Sequence, residues 1–257
     1  MARKKQPEAT VIAGRNPVRE ALERGQQLEK LYLQNGMDGR VAAQLRTLAK
    51  QSGTPVQSVP GQRLERLAPG VNHQGCAAVV AEVAYRDVDE MLREIAPDHD
   101  AVKSSKPLVL ILDGVQDSHN LGAILRSAVA AGVSGVILPT RGSAGVNTAV
   151  IKTSAGTARR IPIARVDNVT DVIQQLKERG YWVAGADGGG EETVWTMDWD
   201  RPTALVMGSE GEGMRAGVAK ACDYRVSIPM RGPAESLNVS VAAGILLFAA
   251  VRGRDKP

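Results

Sequence analysis

A strand buried on both faces of a sheet leaves an unbroken apolar run, and Leu108–Leu112 is such a run. Downstream of it the apolar spacing switches repeatedly between strand and helix periods. Helices are predicted over residues 120–131 (ended by Gly132), 149–155, 169–179 (ended by Gly180), 215–221 and 237–251. Strands are predicted over 136–138, 161–164, 181–186, 203–207 and 224–228. This alternation dictates an α/β class with a mostly parallel sheet and helices on both faces. In such sheets ligands sit beyond the carboxyl ends of the strands. Chemistry is therefore expected in the loops that follow Leu112, Met207 and Ile228.

The first part of the chain, residues 10–85, reads as a smaller alternating α/β unit. Asn16 followed by Pro17 has the form of an N-cap and first helical residue, and Gly25 closes that helix. Strands are expected at 28–33, 55–59 and 76–83, and helices at 39–51 and 62–67. Residues 86–106 read as a connector with one short helix at Val88–Ile95, followed by polar, turn-prone sequence. Residues 1–9 form a basic tail in which Lys4 and Lys5 add nonspecific attraction. The second and larger part is then 107–257.

Composition narrows the function. The chain has 257 residues, 43% of them hydrophobic and 23% charged, so a mainly disordered chain is unlike it. No apolar run approaches the roughly 18–20 residues of a membrane span, and no apolar region of a signal peptide follows the basic start, so a cytoplasmic protein with no membrane partner is expected. Two cysteines and three histidines cannot supply a disulfide framework or a histidine-rich metal centre, so no metal is expected. Lys and Arg exceed Asp and Glu by 32 to 28, which fits a polyanion partner and simple solubility alike. With aromatics at 3%, binding RNA chiefly by stacking is disfavoured.

The first loop, 113–122, leads into a helix whose Leu121, Ile124, Leu125 and Ala128 follow the core spacing, with Asn120 as its expected N-cap. Arg126 lies off that stripe. Helical side chains lean over positions i−3 and i−4, here the small Ala123 and Gly122, so its guanidinium can reach back toward the loop mouth. There it could hold a phosphate or ribose oxygen; an ordinary surface arginine has the same spacing. The second loop, 207–214, places glycines at 208, 211 and 213, the wrong spacing for a dinucleotide fingerprint. Glu210 and Glu212 would also repel a pyrophosphate. A glycine loop with carboxylates suits a ligand without phosphates, and equally a tight turn with solvated acids. The third loop, 228–238, precedes an almost wholly apolar helix that should be buried, with Ser236 as its expected cap. Asn238, beside that core, needs a partner in the protein or in a ligand.

Taken in order, the stretches 120–126 (Asn120, Gly122, Arg126), 206–211 (Met207, Gly208, Glu210, Gly211) and 228–240 (Ile228, Met230, Ser236, Asn238) resemble the SpoU/TrmH family of RNA ribose 2′-O-methyltransferases, of the SPOUT class. Segment 12–22 and His73, Gln74 and Gly75 resemble that family's small substrate-binding domain, whose fold resembles ribosomal protein L30e. Similarity is greatest to members that methylate a guanosine of 23S rRNA, followed by members that act on other rRNA sites or on tRNA.

The resemblance implies a trefoil-knotted parallel-sheet catalytic domain behind the L30e-like domain, S-adenosylmethionine as methyl donor, a homodimer, and ribosomal RNA or a pre-ribosomal particle as partner. The knot is an exception to ordinary chain topology. By the same resemblance Met207, Gly208, Gly211, Ile228, Met230, Ser236 and Leu237 line the cofactor pocket. Arg126 serves the 2′-hydroxyl, Asn120 and Asn238 orient Arg126 and the ribose, and Glu210 pairs with the guanidinium. An arginine stays protonated in proteins, so it is read as steadying the developing alkoxide while another group or water takes the proton. Arg15, Asn16 and His73 are candidate RNA contacts; a surface loop histidine fits His73 as well. His119 can line the site or stay solvated. Trp195 and Trp199 are read as packing or dimer contacts. A non-catalytic RNA-binding assembly factor would be expected to have lost these loop residues, and a dinucleotide-dependent oxidoreductase disagrees with the glycine spacing.

Overall fold

In a computed structural model of the chain, residues 10–254 are described. The basic tail, with Lys4 and Lys5, lies outside them. The described chain divides into two compact units: residues 10–84 with 145–149, and residues 85–144 with 150–254.

The first unit contains β1 (Val11–Ala13), α1 (Arg15–Glu23), β2 (Leu28–Gln34), α2 (Gly39–Gln51), β3 (Val56–Val59), α3 (Gly61–Leu67) and β4 (Cys76–Val80). Its sheet has the order β1-β4-β2-β3, with β4 antiparallel to β1 and β2, and β3 parallel to β2. The period of two sorts its side chains. Leu31, Leu33, Cys76 and Ala78 join Val18, Leu22, Leu45 and Ala49 of α1 and α2 in one core cluster. Ala77 and Tyr32 face the other way, toward Leu64 and Leu67 of α3. Residues 145–149 belong here as well: Thr148 donates to Glu82 Oε1 at 2.8 Å.

The second unit runs through α4 (Val88–Ile95), α5 (His99–Ser105), β5 (Leu108–Leu112), α6 (Ser118–Ala130), β6 (Gly135–Pro139), α7 (Thr148–Thr153, entered from the first unit), a 3₁₀ turn (Thr157–Arg160), β7 (Ile163–Val166), α8 (Val169–Glu178), β8 (Trp182–Ala186), β9 (Glu192–Thr193), β10 (Thr203–Met207), α9 (Ala216–Ala221), β11 (Tyr224–Ser227) and α10 (Val239–Arg254). All seven strands are parallel, in the order β7-β6-β5-β10-β8-β11-β9. Every residue of β5, β6 and β10 is buried, as strands covered on both faces require. Val109, Ile111, Ile137, Ala204 and Val206 pack under α4, α5, α8 and α9. The alternate residues Leu108, Leu110 and Leu112 point to the opposite face. Helices α6 and α10 pack on each other.

Several sequence-based expectations are corrected. Residues 86–106 are not a free connector, because Met91, Leu92, Ala96 and Val102 are buried in the core of the second unit. The polar segment after Ala96 folds as α5, with Asp98 accepting from Ala101 N at 2.8 Å and Lys106 ending it in a left-handed conformation (φ 44°). Asn16 is not a cap: α1 starts at Arg15, and Gly14 (φ 101°) precedes it without a side-chain cap bond. Asp117, not Asn120, caps α6. Asn238, not Ser236, bonds the first turn of α10 through Ser240 N at 3.0 Å. The long apolar helix is only partly covered, since Val241 and Phe248 are each 50% exposed.

Candidate functional site

The three loops leave the carboxyl ends of β5, β10 and β11. In the first, the Asp117 carboxylate accepts from the backbone N–H groups of His119 and Asn120, both at 2.8 Å. Capping by Asp117 frees the Asn120 side chain. Its Nδ2 donates to Glu210 Oε2 at 3.0 Å. Its Oδ1 accepts from Asn238 Nδ2 at 3.0 Å, and the same Nδ2 reaches Glu210 Oε1 at 3.2 Å. Asn238 Oδ1 in turn accepts from Ser240 N and from its hydroxyl, at 3.0 and 2.6 Å. Residues 28, 90 and 118 positions apart thus close one hydrogen-bonded triangle. Each member fixes the other two, and no cation belongs to the triangle.

Arg126 stands apart from this triangle. It is exposed, and no described residue pairs with its guanidinium. The expected Glu210–Arg126 pair is therefore corrected: Glu210 holds two amides instead. The reason is helical geometry. Six residues at about 100° each put Arg126 on a different face from Asn120, above Gly122 and His119. His119 Nδ1 lies 3.3 Å from Thr153 Oγ1.

The glycine loop is held at both ends. Ser209 and Gly213 exchange backbone hydrogen bonds of 2.9 and 3.1 Å, which closes it into a tight turn. A Cβ on Gly208 would overlap the backbone of Gly213 and Met214, so no larger residue fits there. Beyond the turn, Arg215 donates to the Asp113 carboxylate from its backbone N (2.9 Å), Nε (2.8 Å) and Nη2 (2.5 Å). The Asp113 side chain is wholly buried, so this clamp ties the end of β5 to the end of the glycine loop.

Beside the triangle is a cavity of about 310 Å³. All seven expected pocket residues line it: Met207, Gly208, Gly211, Ile228, Met230, Ser236 and Leu237. Sequence reasoning missed Ala186 at the end of β8, Asp187 and Gly188 after it, and also Glu235. The three glycines that follow Asp187, after a strand, were the available signal. The cavity is lined by three carboxylates, Asp187, Glu210 and Glu235, and by no lysine or arginine. Its donor set suits a ligand with a positive charge and an apolar body, and opposes a pyrophosphate. Glu210 belongs to both the cavity and the triangle.

In the first unit, Arg15 and Asn16 are both exposed, and Arg15 bonds Gln74, the residue after His73. Arg15 donates from Nε to Gln74 O at 3.1 Å, and its N–H to Gln74 Oε1 at 3.2 Å. His73 accepts from Gly75 N through Nδ1 at 3.1 Å and presents Nε2 to Glu65 at 3.4 Å. Trp199 is buried and donates to Val194 O at 3.0 Å, whereas Trp195 is exposed. Burial pushes the Cys76 and Cys222 thiols up to about 11, which leaves neither as a thiolate nucleophile near neutrality. Among the described residues no group of three or more His, Cys, Asp or Glu could hold a metal ion, and no helix is long and apolar enough to cross a membrane.

Residues 107–248 match the SpoU rRNA Methylase family, and residues 11–86 match the RNA 2′-O ribose methyltransferase substrate-binding family. The chain belongs to the SpoU/TrmH family of RNA methyltransferases. It is 40% identical over 245 residues to a Bacillus subtilis protein named as a TrmH family tRNA/rRNA methyltransferase, covering 95% of this chain and 96% of that one. Among solved structures, AviRb of Streptomyces viridochromogenes, a SpoU methyltransferase in complex with AdoMet, superposes with a TM-score of 0.60 at 26% identity (96% and 91% of the two chains). An AdoMet-bound rRNA methyltransferase of Sinorhizobium meliloti gives 0.59 at 28% identity (95% and 87%). The two-part division of this SpoU/TrmH enzyme, a substrate-binding region ahead of the methylase region, follows the two family matches.

Proposed function

We propose that this enzyme transfers a methyl group from S-adenosylmethionine to the 2′-hydroxyl of a guanosine in 23S rRNA, acting as a cytoplasmic homodimer. The observation that carries the reading is Glu210, which lines the acidic cavity and also holds both amides of the Asn120–Asn238 pair. S-adenosylmethionine supplies a methyl already activated on a sulfonium. Asp187, Glu210 and Glu235 offer that cation negative charge, and Met207, Ile228 and Leu237 offer its adenosine an apolar wall. No phosphate has to be accommodated.

With an activated donor, the protein's task is alignment, worth about 7–11 kcal/mol in well-oriented reactions. The triangle of Asn120, Glu210 and Asn238 orients the ribose at the cavity mouth. Arg126 steadies the developing alkoxide and the neighbouring phosphate. Its guanidinium stays protonated, so the proton of the hydroxyl leaves to water or another group. Arg15, Asn16 and His73 contact the RNA from the substrate-binding unit. The half-exposed Val241 and Phe248 supply an apolar face of α10 for the second subunit.

The test is transfer of labelled methyl from S-adenosylmethionine into transcripts of 23S rRNA, 16S rRNA and tRNA, with the product mapped by nuclease digestion. A 2′-O-methylguanosine in 23S rRNA is expected. Label confined to tRNA, which the relatives' name also covers, would move the target and keep the chemistry. Absence of S-adenosylmethionine binding would overturn the reading.

A further inference from the structure

Charge is segregated along the methylase half of the chain. Between Asp117 and Asp167 there is no Asp or Glu, although the sequence has 28 in all, an average of about five per 49 residues. The same 49 residues carry six cations, Arg126, Arg141, Lys152, Arg159, Arg160 and Arg165.

The fold packs together the elements that carry four of them. Helix α6 meets α7 at Gly122, where a Cβ would stand 2.7 Å from Thr153 Cβ and 2.9 Å from Val150 O. No side chain can separate the helices at that point. His119, one turn before Gly122, meets Thr153, and Arg126, one turn after it, lies on the same face. Helix α7 leads directly into the 3₁₀ turn Thr157–Arg160, which packs on α6. Arg126, Lys152, Arg159 and Arg160 are all exposed. Helix α10, which also packs on α6, has no acidic residue either and ends in Arg252 and Arg254.

We propose that Lys152, Arg159 and Arg160 form, with Arg126, a track for the phosphodiester groups on either side of the methylated nucleotide. The proposal rests on the RNA reading above and extends it to a named surface. Its physical basis is the contrast with the cofactor cavity. That cavity is lined by carboxylates and by no lysine or arginine, while the stretch 118–166 that forms α6, α7 and the turn after them supplies cations and no carboxylate. The two reactants, a sulfonium and a polyphosphate, are thereby sorted to opposite potentials. The cations are spread along an open ridge and not gathered in a pocket, which suits an extended polyanion rather than a small anion. Binding there releases counterions, so it must weaken steeply with salt.

The test is fluorescence anisotropy of labelled 23S rRNA and tRNA transcripts over a series of KCl concentrations. The double variant Lys152→Gln/Arg160→Gln is compared with wild type, with S-adenosylmethionine affinity measured by calorimetry on each. Loss of one phosphate contact lowers the slope of log K against log[salt] by about one. The double variant is therefore expected to lower it by about two on both probes. Its KM for RNA rises, while kcat at saturating RNA and the affinity for S-adenosylmethionine stay unchanged. Charge-conserving Lys152→Arg/Arg160→Lys restores the slope, and Lys220→Gln on α9 leaves it as in wild type. If the double variant binds RNA with the wild-type slope, the track is overturned and the RNA reading survives. Wild-type protein that binds S-adenosylmethionine but neither RNA overturns both.

Discussion

Arg126 and Asp113 show two opposite fates of a charge in this protein. Arg126 is exposed, with no described partner, and its proposed role is toward the substrate. Arg126→Ala is expected to lower kcat by on the order of 10²–10³, as loss of a preorganised electrostatic donor does, with S-adenosylmethionine affinity unchanged. Arg126→Lys should recover only part, because an ammonium lacks the planar fork. Turnover and calorimetry check both, and retention of most turnover in the alanine variant would remove Arg126 from the mechanism. Asp113 is wholly buried and spends its charge inside the protein. Arg215→Ala leaves that carboxylate unpaired and should cost about 3–5 kcal/mol, read by denaturant unfolding. Asp113→Asn should cost less. The Arg215 side chain it leaves behind is 59% exposed and can be solvated.

At the scale of elements, the site depends on close approaches that only glycine permits. Gly122 lets α6 and α7 touch, and Gly208 lets the 208–214 turn close on itself. Gly208→Ala is expected to abolish S-adenosylmethionine binding, because its methyl would collide with backbone that has no rotamer to yield. Gly122→Ala should destabilise the enzyme by about 1–3 kcal/mol while leaving the cofactor cavity intact. Thermal melts with and without S-adenosylmethionine separate the two outcomes, since a ligand raises the melting temperature only where it binds. Most helices and strands were legible from apolar periodicity: Gly39–Gln51 and Thr203–Met207 fold with the expected bounds. Caps were less legible. Asp117 and Asn120 stand three residues apart, Ser236 and Asn238 two, and each is a good capping type. Local sequence cannot say which one turns inward. In this structure Asp117 takes the cap, and that is why Asn120 is free to join Glu210 and Asn238. Helix α5 was missed for the converse reason: its sequence is polar and lacks a stripe, and packing on the second unit through Val102 decides it.

At the scale of the whole molecule, the titration of buried neutral groups sets the alkaline limit. Burial raises Cys76 and Cys222 to about 11 and Tyr181 to about 12. Each is neutral when buried, and the unfolded chain loses these protons first, near 9 for the thiols. Their contribution is therefore complete below about pH 9 and is lost as pH rises from 9 toward 11 and 12. Melting temperature should be insensitive to these groups up to about pH 9 and fall steadily above it; an increase across pH 9–11 would contradict the burial of the thiols. The sequence alone determined the α/β class and the place of the three loops, because strand and helix periods and glycine turns are local properties; the seven expected lining residues of the cavity came from the resemblance of those loops to a family. The tertiary structure alone decided that β10 lies between β5 and β8, that residues 145–149 join the first unit, and that Asn120, Glu210 and Asn238 close a triangle. Strand order and long-range side-chain bonds are chosen by competition among non-local packings. Residues 118 positions apart carry no periodicity that could announce their meeting.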